Sequence, residues 1–286
     1  MKRRSSVALR NLDKVLWPQA GFTKGDLVRY YRSLAPVLLP HLADRPLTLR
    51  RFPDGVEAPS WFQAECRGSP DWLATWTYEG KRGQRFAMCL ARTGRDLEWM
   101  ANTGTIELHP FLWTVERPRL LDAVLFDLDP EPPAGLEDAC RVALLVRREL
   151  ELDAVVKTSG GLGVHVAAPI EPTEAGRVRA YARSVAERVA ERDPAVTARM
   201  TRRASRAGQV LVDWMQNDPA RSTVAPYSLR GMPWPTVSMP VSWDEVELGS
   251  RLPDRLVLVA DEVLPRLARQ GDLYAPMLDA KQRLPG

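Results

Sequence analysis

The chain has 286 residues, of which 45% are hydrophobic and 27% are charged. It can therefore bury a large core, as one large or two small domains, and this composition excludes a disordered or fibrous protein. The formal net charge is only +4, so overall charge gives little indication of a polyanionic partner. Basic residues are nevertheless concentrated in four stretches that would permit a phosphate-backbone track: residues 2–4, 45–51, 81–85 and 199–206.

The cysteine pattern and the N-terminus indicate the cellular compartment. The chain has three cysteines, Cys66, Cys89 and Cys140. Because this number is odd and no two of them form a CxxC pair, we expect neither a disulfide framework nor a zinc site. The basic N-terminus is not followed by an apolar signal core, and no stretch approaches the roughly 18 apolar residues of a membrane span. The sequence predicts a reduced, cytoplasmic protein without a membrane partner.

The first predicted elements are a short strand or turn at residues 11–18 and an amphipathic helix that begins after Thr23. Thr23 is a suitable N-cap residue, with Asp26 at N3 to complete a capping box. Lys14 and Lys24 would flank a loop at the helix N-terminus, where free backbone N–H groups and lysine charge favour a phosphate. Two solvent-exposed lysines are the simpler interpretation of the local pattern.

Strands and one helix are predicted next: strands at 45–52, 72–78, 86–90 and 105–109, and a helix at 96–102. The adjacent aromatic residues Trp61 and Phe62 lie between the first two strands. Adjacent aromatics usually belong to a core, but at an exposed tip they could stack on a nucleic-acid base. The sequence leaves both interpretations open.

An apolar run at residues 124–130 ends in two acids, Asp127 and Asp129. Successive side chains of a strand point to opposite faces, so these two carboxylates would share one face. Such a pair needs a compensating cation, and oxygen ligands favour Mg²⁺ or Mn²⁺. An Asp-Pro turn with both acids in solvent is the alternative interpretation.

A predicted helix at 136–150 is followed by a second apolar strand, 154–159, which leads into a glycine-rich turn. Such turns let the backbone approach a phosphate with its N–H groups directed inward, although the spacing matches neither common nucleotide-binding loop. His165 follows between two valines, a position that is most often structural. The neighbouring Ser159 and glycines favour a ligand-facing role.

A charged helix is predicted at 174–192, and the apolar strand 209–214 after it contains a single acid, Asp213. Burying a carboxylate is costly unless it is paired or bound to metal. Asp213 is therefore a natural third ligand beside Asp127 and Asp129, which favours a metal site over the turn. Residues 222–230 then carry hydroxyls and one arginine, a set suited to sugar and phosphate contacts, before a Pro-rich loop and closing helices.

The three segments 126–130, 157–165 and 212–214 occur in this order with a specific spacing. Together they resemble the polymerase domain of bacterial ligase D, a member of the archaeo-eukaryotic primase superfamily. The resemblance covers nearly the whole chain, since it extends to residues 13–18, 23–24, 51–56 and 225–231. It implies an α/β (α+β) primase-polymerase fold: a central mixed, largely antiparallel sheet flanked by helices, with an N-terminal α/β module. The chain would be one domain, with the boundary between its two modules near residue 115.

The resemblance also implies roles for individual residues. The acids that would bind two Mn²⁺ or Mg²⁺ ions are Asp127, Asp129 and Asp213. The residues that would bind the nucleoside triphosphate are Ser159, Gly161, Gly163, His165, Ser228 and Arg230. Lys14 and Lys24 would grip the 5′-phosphate of the downstream strand, and the further DNA-binding residues would be Arg51, Trp61, Phe62 and Arg206. Leu162 departs from the family, which often has Lys or Arg there, and this departure removes a contact to the triphosphate.

The implied activity is template-directed nucleotidyl transfer by a two-metal mechanism, filling gaps and broken DNA ends with a preference for ribonucleotides. Ku and a separate DNA ligase are expected partners in end joining, and the protein is expected in the cytoplasm, associated with the nucleoid. A metal-dependent nuclease or phosphoesterase could also use three acids on strands, but the turn at 159–165 argues against it. A non-catalytic DNA-binding module is a third hypothesis.

Overall fold

The computed structural model describes residues 7–80, 83–200, 202–279 and 281–286. The basic residues at 2–4 and 81–82 therefore lie outside the described residues. The described strands are β1 Val15–Trp17, β2 Phe22–Thr23, β3 Leu47–Arg51, β4 Trp61–Gln63, β5 Thr75–Glu79, β6 Arg85–Cys89, β7 Thr105–Pro110, β8 Leu120–Pro130, β9 Val155–Thr158, β10 Val164–Glu174, β11 Val196–Thr197, β12 Val210–Asp213 and β13 Pro240–Val241. The described helices are α1 Lys24–Leu42, α2 Gly94–Asn102, α3 Leu136–Glu149, α4 Ala175–Arg192, α5 Trp243–Gly249, α6 Ala260–Gln270 and α7 Pro276–Asp279, with short 3₁₀ turns at Pro18–Ala20, Arg203–Arg206, Trp214–Gln216 and Pro253–Leu256.

Helix α1 begins at the predicted capping box. The Thr23 side chain accepts from the Asp26 backbone N–H, and the Asp26 carboxylate accepts from the Thr23 backbone N–H at 2.7 Å. Two buried tyrosines then anchor this helix to other elements: Tyr31 donates its hydroxyl to the carbonyl of Ile106, and Tyr30 donates to the carbonyl of Tyr227 at 2.8 Å. Helix α1 therefore connects the N-terminal sheet to the segment near residue 227.

The N-terminal sheet has the strand order β4-β3-β6-β5, with β7 paired to β3. Strand β4 lies at its edge and pairs with β3 so that Phe62 faces Arg50 and Trp61 faces Arg51. This strand was missed by the sequence analysis because it is only three residues long and lacks a periodic pattern.

A disulfide joins Cys66 to Cys89, with the Cα atoms 5.1 Å apart. The expectation of no disulfide, and of a wholly reduced chain, was therefore wrong. The reason is tertiary: the chain returns after β4 and Cys66 donates its backbone N–H to Ala87 on β6 at 2.7 Å. Sequence spacing does not reveal that approach. Cys140 is buried as a free thiol.

The second sheet has the order β11-β12-β8-β10-β9-β13 in the described residues. Its pairs are antiparallel except for the parallel β11–β12 pair, which confirms a mixed, largely antiparallel sheet flanked by helices. Strand β8 continues through Pro130, which pairs with Val210, so the Asp-Pro turn interpretation was wrong. Phe126 and Leu128 are fully buried in the main core together with residues of α3 and α4.

The change from one sheet to the other occurs between Pro110 and Leu120. The proposed module boundary near residue 115 lies in this interval, and it stays a prediction. In the part of the chain that the structure describes, no helix is long and apolar enough to cross a membrane.

Candidate functional site

The three predicted acids lie on one face of the second sheet. Asp213 at the end of β12 pairs in register with Asp127 on β8, and Asp129 lies two residues further along β8 on the same face. The buried amide of Asn217 holds β8 in place, because it donates to the Leu125 carbonyl at 2.7 Å and accepts from the Leu125 N–H at 2.8 Å. Strand register thus accounts for the position of each acid.

Gln216 and Arg221 approach the paired carboxylates, and the sequence analysis selected neither. The Gln216 amide lies 3.3 Å from Asp127 Oδ2 and 3.4 Å from Asp213 Oδ2. Arg221 lies 3.5 Å from Asp213 Oδ2, with its side chain 42% exposed. Asp213 Oδ1 accepts from the Met215 N–H at 2.8 Å and so starts the short turn that carries Gln216.

The paired carboxylates have pKa values shifted in opposite directions. Burial, followed by the negative charge of Asp127, raises the pKa of Asp213. Burial alone would also raise the pKa of Asp127, but the adjacent His165, together with Lys157 and Arg230, lowers it overall. Asp127 therefore keeps its charge more readily than Asp213 does.

The donor chemistry of this pair suits a hard divalent cation. Asp127 Oδ1 is buried without a hydrogen-bond partner, although His165 Nε2 lies 3.1 Å away, and the like charge of Asp213 faces it. A cation would compensate both features, and oxygen ligands are those that Mg²⁺ and Mn²⁺ prefer. Within the described residues, however, no three His, Cys, Asp or Glu side chains are already arranged to hold an ion. Binding by all three acids would require side-chain rotation.

The glycine-rich turn lies beside the acids, but its amides are not directed into open space. Ser159 Oγ accepts from the N–H of Gly161 at 3.2 Å and from the N–H of Gly163 at 3.1 Å. Gly160 has φ +76°, and a Cβ there would lie 2.5 Å from the Arg230 side chain. The turn is therefore closed by its own serine and packed against Arg230.

His165 is buried between two charged groups. Its Nδ1 lies 3.0 Å from Lys157 Nζ and its Nε2 lies 3.1 Å from Asp127 Oδ1. Lys157 also donates to Ser238 Oγ at 2.6 Å. Burial, followed by the charge of Lys157, lowers the pKa of His165, so the neutral imidazole is favoured between these two partners.

Ser228 and Arg230 lie on the same segment but in different surroundings. Ser228 is completely buried, accepts from the Leu108 N–H at 3.0 Å and lies 3.2 Å from the hydroxyl of Tyr31. In this structure its hydroxyl is used within the fold, and its role toward a nucleotide stays a prediction. Arg230 has a side chain that is 21% exposed, beside the glycine-rich turn, and Leu162 at the tip of that turn is 53% exposed.

The two predicted phosphate-binding lysines lie together. The Lys24 backbone N–H donates to the Lys14 carbonyl at 2.8 Å. Burial, then the charges of Lys14 and Arg51, lowers the pKa of Lys24, so three cations lie close to one another. Lys14 forms an ion pair of 2.6 Å with the exposed carboxylate of Asp54.

The aromatic pair lies on an exposed edge. Trp61 is 45% exposed and Phe62 is 60% exposed, which favours the stacking interpretation over the core. The guanidinium of Arg51 lies 5.9 Å from the centre of the Trp61 ring, and that of Arg50 lies 5.3 Å from the Phe62 ring. Exposed aromatic rings beside cations are typical of a surface on which nucleic-acid bases stack.

Arg206 is less accessible than its predicted role requires. It is 7% exposed, and its Nε lies 3.8 Å from Glu131 Oε2 without a hydrogen-bond partner. Contact with DNA would require this side chain to move. Thr201, within the same basic stretch, lies outside the described residues.

Two buried charged residues near the site were missed: Lys157 on β9 and Glu107 on β7. Both interrupt apolar strands, which is the signal that selected Asp213, so the same reasoning could have found them.

The chain is similar to known proteins over nearly its whole length. The model of the LigD primase-polymerase domain matches residues 23–274. The multifunctional non-homologous end joining protein LigD of Mycolicibacterium smegmatis is 39% identical over 97% of this chain and 37% of that protein. The multifunctional non-homologous end joining DNA repair protein LigD of Mycobacterium tuberculosis is 36% identical over 97% of this chain and 38% of that protein. The chain therefore spans less than two-fifths of the length of these relatives.

A solved structure is similar over the same extent. The polymerase domain from Mycobacterium tuberculosis ligase D, in complex with DNA, superposes with a TM-score of 0.87 and 36% identity, covering 96% of this chain and 99% of that one. The overall fold and the sequence therefore point to the same family.

Proposed function

Because the chain belongs to the family of LigD primase-polymerase domains, which are DNA repair nucleotidyltransferases, we propose that it extends a DNA primer by template-directed nucleotidyl transfer at gaps and broken ends. The observation that carries this proposal is the Asp127–Asp213 pair, which lies on one sheet face beside Arg230 and the glycine-rich turn. This combination provides cation ligands and a phosphate-binding cation at one place. The DNA in the related structure supports a DNA substrate.

Three carboxylates would hold the metal ions: Asp127, Asp129 and Asp213. When bound, two Mn²⁺ or Mg²⁺ ions would lower the pKa of the primer 3′-hydroxyl and neutralise negative charge on the departing pyrophosphate. Gln216, between Asp127 and Asp213, donates its amide N–H groups to both and orients them. No nucleophile from the protein is required.

The remaining contacts bind and orient the substrates. Arg230 would contact the triphosphate, and the exposed Leu162 adds no charge there, so more of the phosphate contact falls to Arg230. Lys14 and Lys24 would bind the 5′-phosphate of the downstream strand, and this phosphate would replace Asp54 as the partner of Lys14. Trp61 and Phe62 would stack against the template base.

The finer features of the proposal follow the family resemblance. We propose a preference for ribonucleotides, with Mn²⁺ as the preferred ion. End joining with Ku and a separate ligase is the proposed pathway, supported by the end-joining names of the relatives.

The proposal is tested by comparing DNA binding with extension in Asp127→Ala, Asp129→Ala and Asp213→Ala. Each variant should lose primer extension while its affinity for gapped DNA stays within about twofold, because a surface phosphate track supplies most of that affinity. The exposed Asp71 provides the control variant Asp71→Ala, which should extend normally. Wild type that shortens the primer would support a nuclease, and binding without any extension would support a non-catalytic module.

A further inference from the structure

Glu107 on β7 is a carboxylate enclosed by donors from several segments. It is 1% exposed. Its Oε1 accepts from Arg50 at 3.0 Å and from the Gly231 backbone N–H at 3.0 Å, and Arg230 Nε lies 3.5 Å from the same oxygen. Its Oε2 lies 2.8 Å from His109 Nε2. Such burial is tolerated because both oxygens are paired.

One side of this cluster supports the exposed aromatic residue Phe62. Arg50, which Glu107 holds, lies 5.3 Å from the centre of the Phe62 ring. His109, which also contacts Glu107, packs edge-on against the same ring at 5.2 Å. Two groups that contact the same carboxylate therefore pack against the Phe62 ring.

The other side of the cluster holds the segment that carries the phosphate-binding arginine. The Gly231 N–H and the Arg230 guanidinium both meet Glu107, and Arg230 packs against Gly160 of the glycine-rich turn. Glu107 thus lies where the edge of the N-terminal sheet meets the nucleotide-binding turn of the second sheet.

We infer that Glu107 is a positioning residue that couples the Phe62 stacking surface to Arg230, so that the template base and the triphosphate of the incoming nucleotide are bound at a fixed separation. The inference rests on the proposed function, since that function assigns Phe62 to the template base and Arg230 to the triphosphate of the nucleotide that pairs with this base. A preorganised separation lowers the cost of ordering both groups on binding. Burial opposes ionisation of Glu107, yet His109 and Arg230 lower its pKa to about 2, so this carboxylate is an anion throughout the working pH range.

The energetic coupling between Phe62 and Arg230 provides the test. The affinity for GTP opposite a templating cytosine, with Mn²⁺, would be measured for Phe62→Ala, Arg230→Gln and the double variant. The same cycle would then be repeated in the Glu107→Gln background. We expect the two substitutions to be non-additive by a factor of about 5 to 10 in the wild-type background, and additive within about twofold when Glu107 is Gln.

Extension kinetics provide a second readout, with a matched control. Glu107→Gln should raise the KM for GTP at least about tenfold and change kcat less than about threefold, because it removes preorganisation rather than a reacting group. Glu98→Gln breaks a more exposed ion pair with Arg32, at 2.7 Å, which belongs to neither proposed substrate site, and should leave KM unchanged. A merely structural role for Glu107 would lower the active fraction, and hence apparent kcat, and leave the coupling intact.

A third variant covers the case in which Glu107→Gln does not fold. Arg50→Gln removes the guanidinium between Glu107 and Phe62 and should also reduce the coupling. Coupling that persists in both backgrounds, or in the Arg50→Gln background alone if Glu107→Gln is unfolded, would overturn the inference. Failure of wild type to extend any primer would instead overturn the proposed function.

Discussion

Replacing Asp213 by Asn should change the stability of the folded protein and its activity in opposite directions. Asn keeps an oxygen that can accept from the Met215 N–H, a bond of 2.8 Å in the structure, but removes the negative charge that faces Asp127 across the strand pair. Cross-strand charge pairs contribute about 0.2–1 kcal/mol. The substitution also removes the ion pair with Arg221, but this loss offsets little of the gain, because the Arg221 side chain is 42% exposed and such exposed pairs are weak.

We therefore expect metal-free Asp213→Asn to be more stable than wild type by up to about 1 kcal/mol, which is up to about 2 °C in Tm for a chain of this size. The gain depends on pH, since the pKa of Asp213 is raised in the folded protein. The repulsion exists only when Asp213 is ionised, so the gain should be present at pH 8 and should disappear as pH falls below the carboxylate range. The exposed Asp71 gives the control Asp71→Asn, which should leave Tm unchanged.

Adding Mn²⁺ should reverse the order of stability. An ion at 100 times its Kd stabilises the folded state by about 2.7 kcal/mol, so wild type should gain several degrees in Tm while Asp213→Asn gains much less and cannot extend a primer. Differential scanning fluorimetry with and without Mn²⁺ measures both effects. A metal-free variant that is less stable than wild type, with an undiminished response to Mn²⁺, would refute this account of the acid pair.

Three further outcomes are expected. Lys14→Ala with Lys24→Ala should weaken binding about tenfold to gapped DNA with a 5′-phosphate and leave binding to 5′-hydroxyl DNA unchanged, as measured by fluorescence anisotropy at fixed salt; equal losses on both DNAs would contradict the lysine assignment. Leu162→Lys should lower the KM for GTP by about 3- to 10-fold relative to Leu162→Met, because a cation joins Arg230 at the triphosphate; an unchanged KM would place the phosphates elsewhere. The pKa of Glu107 is lowered from 4.5 to about 2, so the ionised side chain contributes on the order of 3 kcal/mol to the free energy of unfolding. This contribution should be complete above about pH 5 and be lost as the pH falls toward 2. Acid unfolding of Glu107→Gln, followed by circular dichroism, should therefore depend less on pH over that range.

The sequence predicted those features that depend on residues close to one another in the chain or on the alternation of side chains along a strand. Thr23 and Asp26 form the capping box that begins α1. The isolated Asp213 in an apolar strand was selected as a neighbour of Asp127, and antiparallel pairing does place these residues opposite each other. Its role as a metal ligand stays a prediction.

Features that depend on the approach of distant segments could not be predicted in the same way. The Cys66–Cys89 disulfide forms because the chain returns to β6 after the edge strand. Ser228 has a hydroxyl suited to a nucleotide, but its hydrogen bond to the Leu108 N–H shows that it is used inside the fold. Glu107 acquires its role only where the two sheets meet.

The most direct test of the account is incorporation of a single nucleotide into a short DNA gap with a 5′-phosphorylated downstream strand and Mn²⁺. GTP and dGTP would be offered separately to wild type and to Asp127→Ala, opposite a templating cytosine. The account predicts templated incorporation by wild type, faster with GTP, and none by Asp127→Ala. Tight binding of wild type to the gap without incorporation of either nucleotide would contradict it.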